Sequence, residues 1–151
     1  MAVSKETIQK YLQETPYIAL ATVNEKQAPA LRTLGSFAPD EFKVYFSTGE
    51  TTAKVGQIRS NQQVAILFQH ENQKIPSFVN ITISGTAHEL DKDAERSKAI
   101  ALLSARSPRF KERADKKELN GTAFFRIDPE EIKVVDLSKG PGANGIEIIK
   151  Y

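Results

Sequence analysis

Apolar and polar positions alternate along this chain in short runs that polar stretches separate. The runs span residues 17–23, 29–37, 42–48, 63–69, 78–90, 122–127 and 132–137. Alternation with a period of two is typical of strands that are buried on one face. The first three runs are joined by the polar stretches 24–27 and 38–41, which predicts an antiparallel meander. The stretch 128–131, "DPEE", predicts a turn between the last two strands.

Helical spacing predicts a helix at the start of the chain. Ser4 is a candidate N-cap, and Val3 and Ile8 have the spacing of a hydrophobic staple around it. Thr15 and Pro16 are expected to end the helix, because proline disfavours helical backbone in the residue before it.

Two further helices are predicted, over residues 51–60 and 91–107, with Asp91 as a possible cap of the second. Gly85 lies inside the long run 78–90, where a glycine suggests a bulge or bend. Gly140, Gly142 and Gly145 lie in a loop without the strand-to-helix context of a dinucleotide-binding fingerprint.

Short strands linked by turns, with few helices, favour a mainly β (α+β) fold. We expect an antiparallel barrel of about six or seven strands, closed or nearly closed, with helices on its outside. A length of 151 residues fits one domain, and no repeat or linker divides the chain. We therefore interpret residues 1–151 as a single domain.

Composition narrows the classes of function. The formal net charge is only +2, so a strong nucleic-acid footprint is not expected. The chain contains no cysteine, which excludes disulfides and thiolate metal sites. The N-terminal segment has no apolar signal-peptide core, and the apolar runs are far shorter than the ~20 residues of a membrane helix. We expect a soluble, cytoplasmic protein.

The stretch "FSTGETTAKV", residues 46–55, carries the first candidate chemistry. Thr48, Thr51 and Thr52 flank the start of the predicted helix, and Lys54 lies in its first turn. Hydroxyls, backbone N–H groups at a helix start and a lysine are what a phosphate needs. The simpler interpretation is that Thr51 or Thr52 caps the helix while Lys54 is a solvated surface charge.

Arg32 favours the phosphate site. It lies among apolar neighbours in the predicted strand 29–37, where an arginine either extends to solvent or meets an anion. The strand 42–48 is expected to lie beside it and to end at the threonines. Arg32 and Lys54 could therefore converge on one anion.

Other candidates have ordinary interpretations. His70 and His88 lack metal-ligand spacing, so core or surface roles are more common for such residues than a metal or haem role. Residues 106–117 carry six basic and two acidic side chains and are interpreted as a solvated loop. With Phe110 as the one aromatic there, a nucleic-acid stacking surface is poorly supported.

In order and spacing, these motifs resemble the pyridoxamine 5'-phosphate oxidase-like family of FMN-binding split β-barrels. The resemblance rests on "YIALATV", "PALRTLGSF", "KVYFSTGETTAKVGQIRSNQQVAILF" and "NITISGTAHEL", and covers residues 10–90 best. It implies an FMN-binding split-barrel domain that forms a homodimer, with the flavin in a groove between the subunits.

The resemblance also implies a set of flavin-binding positions. Arg32 would reach the phosphate or ribityl chain, and the backbone of Thr33 and Leu34 would meet the ring edge. Ser47 and Thr48 would line the ring and chain. Thr51, Thr52 and Lys54 would hold the phosphate, and Asn80 would lie near the flavin. No residue is assigned as catalytic, because reduced flavin in this family often passes hydride or electrons directly.

Two departures argue against the vitamin-forming reaction. The family's vitamin oxidases have a lysine five residues after the arginine, where this chain has Phe37, and they end in a tryptophan-containing motif that this chain lacks. We do not expect pyridoxamine phosphate oxidation.

The expected function is a small FMN oxidoreductase working between a reduced nicotinamide and a small acceptor. The alternatives are a non-enzymatic FMN-binding electron carrier or redox-stress protein, a relative that binds deazaflavin or haem, and an empty barrel used for dimer contacts or regulation. The acceptor pocket is expected in loops 71–77 and 104–120, which carry no motif that names a substrate.

Overall fold

The computed structural model of the protein describes residues 2–151, which form four α-helices and eight β-strands. The helices are α1 (Lys5–Glu14), α2 (Ala53–Ser60), α3 (Asp93–Arg106) and α4 (Pro108–Asp115). The strands are β1 (Ile18–Val23), β2 (Pro29–Leu34), β3 (Phe37–Asp40), β4 (Lys43–Gly49), β5 (Gln63–Gln69), β6 (Val79–Glu89), β7 (Thr122–Asp136) and β8 (Ile146–Lys150). Short 3₁₀ turns occupy residues 75–77, 137–139 and 142–145.

All strand pairs are antiparallel, and the sheet runs in the order β2-β1-β5-β6-β7-β4-β3, with β8 added to β7. Its two edge strands, β2 and β3, are consecutive in the chain and are joined only by Gly35 and Ser36. The Ser47 N–H of β4 also donates to the Ser36 carbonyl, at 3.2 Å. The sheet therefore curls back on itself, which confirms the predicted antiparallel split barrel with flanking helices.

The inner face of the curled sheet forms the main core. Leu20, Ile66 and Ile83 face one another across β1, β5 and β6, and all three are fully buried. On the neighbouring strands β4 and β7, the rings of Phe46 and Phe125 stack on each other, with centroids 5.0 Å apart. Helices α1 and α2 add aliphatic side chains to this core. Helices α3 and α4 instead pack on the outer face of β3, β4 and β7, where they form a second cluster.

The first helix matches its prediction. Ser4 is the N-cap, and its Oγ accepts from the Thr7 N–H at 3.1 Å. Val3 packs against the core that contains Ile8, as the staple spacing predicts, and Thr15 caps the C-terminus.

The predicted meander is wrong in its middle. Residues 38–41 do not form the predicted turn, because Phe37–Asp40 is strand β3 and pairs with β4. The turn is formed by the two residues between these strands, Glu41 and Phe42, and Glu41 has a φ of 54°. Pro39 suggested a turn, but β3 is an edge strand, where a residue without an N–H is tolerated. As a result β2 pairs with β1 alone and is not a neighbour of β4.

The "DPEE" turn is also absent, because β7 runs through residues 128–131 as one strand. Gly85 of β6 lies opposite Pro129, whereas Ser84 lies opposite Glu131, so the register shifts by one residue. The bulge predicted at Gly85 is thus confirmed, and the same irregularity accommodates Pro129 within the strand.

Two helical predictions need correction. Helix α3 begins at Asp93 with Lys92 in the cap position, so Asp91 is not its cap. Residues 106–117 are not a loop: Ser107 caps α4 by accepting from the Phe110 N–H, and the Phe110 side chain is buried. One buried aromatic in a strongly charged helix is a weak periodic signal. Within residues 2–151, no helix combines the length and apolar character needed to cross a membrane.

Gly85 is expected to be the most sensitive glycine of the sheet. A Cβ there would lie 2.0 Å from the Asp128 carbonyl oxygen, so Gly85→Ala must displace β7. We expect a loss of about 1–3 kcal/mol in the free energy of unfolding, as overpacking typically costs. Gly56→Ala is the matched control, because Gly56 lies within α2 with open space around it. Urea unfolding of both variants measures the difference, and a wild-type midpoint for Gly85→Ala would contradict the close approach.

Candidate functional site

A partly buried arginine lies at the centre of a polar cluster on the inner side of the sheet. Arg32 of β2 lies directly opposite Leu20 of β1, and therefore on the core-facing side of its strand. Its Nη1 donates to the Leu20 carbonyl at 3.2 Å and to the Thr22 Oγ1 at 2.8 Å. Its Nη2 donates to the Gln57 Oε1 at 2.9 Å.

Thr22 and Gln57 fix the orientation of this guanidinium. Thr22 is only 2% exposed, and its Oγ1 donates to the Gln57 Oε1 at 2.6 Å. These contacts use three of the five N–H bonds of Arg32 and leave its remaining donors for another acceptor. Sequence reasoning missed both residues. The available signals were that Thr22 occupies an inward position of β1, and that Gln57 follows Lys54 by one helical turn.

Lys54 points into the same region from the first turn of α2. Its Nζ donates to the Thr48 Oγ1 at 2.7 Å and lies 3.3 Å from the Thr52 Oγ1. Lys54 is half-buried, so the interpretation of it as a solvated surface charge is wrong. Thr52 occupies the N-cap position, but its hydroxyl donates to the Gly49 carbonyl instead of capping the helix. The first N–H groups of α2 therefore have no side-chain cap.

The two cations are brought together by α2: Gln57, which accepts from the Arg32 Nη2, lies one helical turn after Lys54. Burial lowers the pKa of Lys54, and the positive charge of Arg32 lowers it further. Burial also lowers the pKa of Arg32. Within residues 2–151, neither side chain forms an ion pair with an acidic residue. Two partly desolvated like charges without a counter-charge are unfavourable on their own, and an anion bound between them would relieve that cost.

The other predicted positions divide between the two faces of the sheet. Thr48 and Thr52 lie with Lys54, and Thr51 is exposed beside them, just before α2. Leu34 faces the core, whereas Thr33 faces outward and is exposed. Ser47 and Asn80 also lie on the outer face. The Ser47 Oγ is 2.5 Å from the Ser36 Oγ, and the Asn80 Nδ2 is 3.4 Å from the Gln69 Oε1.

Both histidines of the chain are engaged by protein groups. The His70 ring stacks on Tyr11, with centroids 3.7 Å apart, and its Nε2 lies 3.0 Å from the Tyr11 carbonyl oxygen. The His88 Nε2 lies 3.3 Å from the Asp128 carboxylate. In the described part of the chain, no group of three or more His, Asp or Glu side chains is placed to hold a metal ion.

Residues 4–136 match a family model described as pyridoxamine 5'-phosphate oxidase. The chain belongs to this family. The match extends well beyond the segment that carries the sequence resemblance and includes strand β7. A search of curated proteins finds none that matches.

Solved structures support the fold of this pyridoxamine 5'-phosphate oxidase family member. A conserved hypothetical protein of Mycobacterium tuberculosis is 15% identical with a TM-score of 0.76, covering 91% of this chain and 87% of that one. HutZ, the haem storage protein of Vibrio cholerae, is 23% identical with a TM-score of 0.68, covering 86% and 92%. A haem-binding protein of Mycobacterium smegmatis is 10% identical with a TM-score of 0.78, covering 99% of this chain and 59% of its own. At these identities the likeness shows the fold alone.

We expect the site to bind a simple dianion. Sulfate should raise the Tm of the wild type about 3–5 °C more than that of Lys54→Met when its concentration is ten times the Kd. Sulfate also stabilises folded proteins in general, but that contribution is the same for the wild type and for Lys54→Met.

The sulfate effect should depend on pH through Lys54. Because the pKa of Lys54 is lowered in the folded state, the lysine loses its charge at a lower pH than an ordinary lysine does. The difference in Tm between the wild type and Lys54→Met should therefore shrink as the pH rises through that lowered pKa. Differential scanning fluorimetry measures it, and an equal sulfate response in both chains at neutral pH would contradict an anion site at Lys54.

Proposed function

We propose that this protein binds FMN and acts as a small flavin oxidoreductase, passing hydride or electrons between a reduced nicotinamide and a small acceptor. The observation that carries the proposal is the pair of half-buried cations, Arg32 and Lys54, which α2 holds on one side of the sheet without an acidic partner in residues 2–151. A phosphate dianion between them would supply the missing counter-charge.

The residues around this pair fit the phosphate end of FMN. Thr48 and Thr52 already contact the Lys54 amine and present hydroxyls beside it, and the uncapped N–H groups of α2 add further donors. Thr51, exposed in the same turn, completes the threonine set. Thr22 and Gln57 would keep the Arg32 guanidinium in place for the phosphate.

Backbone groups of β2 would serve the ring. Because β2 is an edge strand, one of its sides carries N–H and C=O groups that do not pair with β1. Thr33 and Leu34 lie on this strand directly after Arg32. Because successive residues of a strand point their N–H and C=O groups to opposite sides, one of the two pairs with β1 and the other would meet the edge of the isoalloxazine. When bound, FMN supplies the redox chemistry. The protein's part is to bind and orient it and to limit its contact with water.

We also propose a homodimer through the outer face of β2, β1, β5 and β6, which α3 and α4 leave uncovered. The register places two rows of mostly small or apolar side chains on this face. They are Leu31-Ala21-Ala65-Ser84 and Thr33-Ala19-Leu67-Thr82. Leu31 is 73% exposed, although it is one of the larger apolar residues. Asn80 lies on this outer face, so it would meet a flavin that is bound along the proposed interface.

The geometry around Phe37 argues against pyridoxamine phosphate as the substrate. Phe37 is 1% exposed and belongs to the core. The guanidinium carbon of Arg106 lies 4.4 Å from the centre of its ring, and the two terminal nitrogens of Arg106 donate to the carbonyls of Gln13 and Thr15. Arg106, the cation stacked on Phe37, is thus held by the end of α1 and does not replace the missing lysine.

Haem is the second candidate, because HutZ and the Mycobacterium smegmatis protein are described as haem proteins. In this chain a histidine that was to bind the haem iron would have to leave its present contacts: His70 its stack on Tyr11, or His88 its carboxylate partner. The anion site needs no such rearrangement, which favours FMN. A non-enzymatic FMN carrier would differ from the proposed oxidoreductase only in showing no turnover with reduced nicotinamides.

Arg32→Ala and Lys54→Ala should each weaken FMN binding roughly 10- to 100-fold, since a hydrogen bond to a charged group contributes roughly 1.5–3 kcal/mol. Lys26→Ala is the control, because Lys26 is exposed in the turn between β1 and β2. Fluorescence titration with FMN gives the affinities, and circular dichroism checks the fold. Wild-type affinity in both site variants would mean that the phosphate lies elsewhere, and the absence of FMN binding by the wild type would reject the proposed function.

Leu31→Glu should convert the proposed dimer into a monomer, because the new charge would be buried against its symmetry mate. Tyr151→Glu introduces the same charge at a residue that is 60% exposed and packs near Phe42, outside this face. Sedimentation equilibrium gives the mass of each variant. A wild-type monomer, or a Leu31→Glu dimer as stable as the wild type, would show that this face is not the interface.

A further inference from the structure

A groove lies beside the predicted ring end of the flavin site, on the far side of the link between β2 and β3. Two adjoining cavities, of about 490 and 350 Å³, share Gly35, Ser36 and Ser107 as lining residues. The larger extends towards the end of α1 and Tyr17, and the smaller extends along α4 to Arg109 and Arg113. Gly35 directly follows Leu34, so the groove begins where the proposed function places the edge of the ring.

The arginines of α4 carry uncompensated charge. Arg109 and Arg113 are one helical turn apart, both are exposed, and both line the smaller cavity. The acidic residues of the same helix are already engaged: Asp115 pairs with Lys111 at 2.7 Å, and Glu112 pairs with Lys116 at 2.8 Å. Within residues 2–151, no acidic side chain forms an ion pair with either arginine. The groove wall therefore presents two adjacent planar cations, the geometry that suits phosphate oxygens.

The opposite end of the groove offers an aromatic surface. Tyr17 is 59% exposed although it is a large aromatic residue. Its ring packs over Gly35: two ring carbons lie 3.6 Å from the position that a Cβ would occupy, an ordinary van der Waals distance. Glu14, which lies in the same cavity, pairs with Lys10 at 3.8 Å. An exposed tyrosine at one end and two free arginines at the other match a ligand with a flat ring and a phosphate.

We propose that this groove is the binding site of the nicotinamide nucleotide, with Arg109 and Arg113 taking its phosphates and Tyr17 contacting one of its rings. The inference rests on the proposed function, because it assigns the electron donor of that reaction to a place beside the flavin ring. It gives the two open arginines of α4 a role that the ion-paired Lys111 and Lys116 do not have.

The test uses isothermal titration of NADP⁺ into the protein, both flavin-free and FMN-loaded. The variant Arg109→Gln/Arg113→Gln should raise the Kd for NADP⁺ at least about tenfold, the effect of losing one to two hydrogen bonds to charged groups. Its FMN affinity should stay at the wild-type value. The variant Lys111→Gln/Lys116→Gln is the control: it removes two positive charges, one from α4 and one from its C-cap, at positions outside the groove.

The outcomes separate the two proposals. A rise in Kd confined to the arginine variant supports the groove, in flavin-free protein as well as in the FMN complex. Equal effects of the two double variants, or no effect of either, overturn it, because the helix would then act only through its overall charge or not at all. Failure of the wild type to bind FMN rejects the proposed function alone, since NADP⁺ binding to the flavin-free chain is measured independently.

Discussion

The two-residue link between the edge strands of the sheet forces the sheet to curl. Gly35 and Ser36 connect β2 to β3, the first and last strands in the hydrogen-bonding order of the sheet. Leu34 and Phe37 are therefore at most about 10 Å apart, since an extended chain gains only about 3.5 Å per residue. A flat sheet would separate these edge strands by the width of the five strands between them. The sheet must curl, and its inner face becomes a core that Phe37, Phe46 and Phe125 fill.

Curling also explains how distant parts of the sequence come to share one site. Arg32 is not beside β4, as a meander would require, yet its charge still lowers the pKa of Lys54. Helix α2 makes this possible: Lys54 contacts the end of β4, while Gln57, one turn later, contacts Arg32 and Thr22. The cost of holding two like charges in a half-buried place is what the proposed phosphate would offset. The same link opens the groove that we assign to the nucleotide.

Local patterns predicted those parts of the fold that local forces decide. The cap at Ser4, the strand 63–69 and the bulge at Gly85 follow from spacing and backbone chemistry close in sequence. The errors came where tertiary position overrides local preference. Pro39 predicted a turn but lies in an edge strand, and Pro129 also predicted a turn but lies at the bulge inside β7. At the site, the hydroxyls and cations were visible in the sequence. The inward position of Thr22 and the spacing of Gln57 from Lys54 could also be read, but their contacts with Arg32 depend on strand register and helix phase. The face on which Asn80 lies likewise follows only from the register of β6.

The central claim is that Arg32 and Lys54 act together on one phosphate. Comparing the affinities of FMN and riboflavin tests it most directly, because these ligands differ only in that group. We predict that the wild type binds FMN much more tightly than riboflavin. In the Arg32→Ala/Lys54→Ala variant this preference should vanish while riboflavin affinity stays at the wild-type value. An equal loss of affinity for both ligands would contradict the claim, since it would mean that these residues support the ring or the fold and not the phosphate.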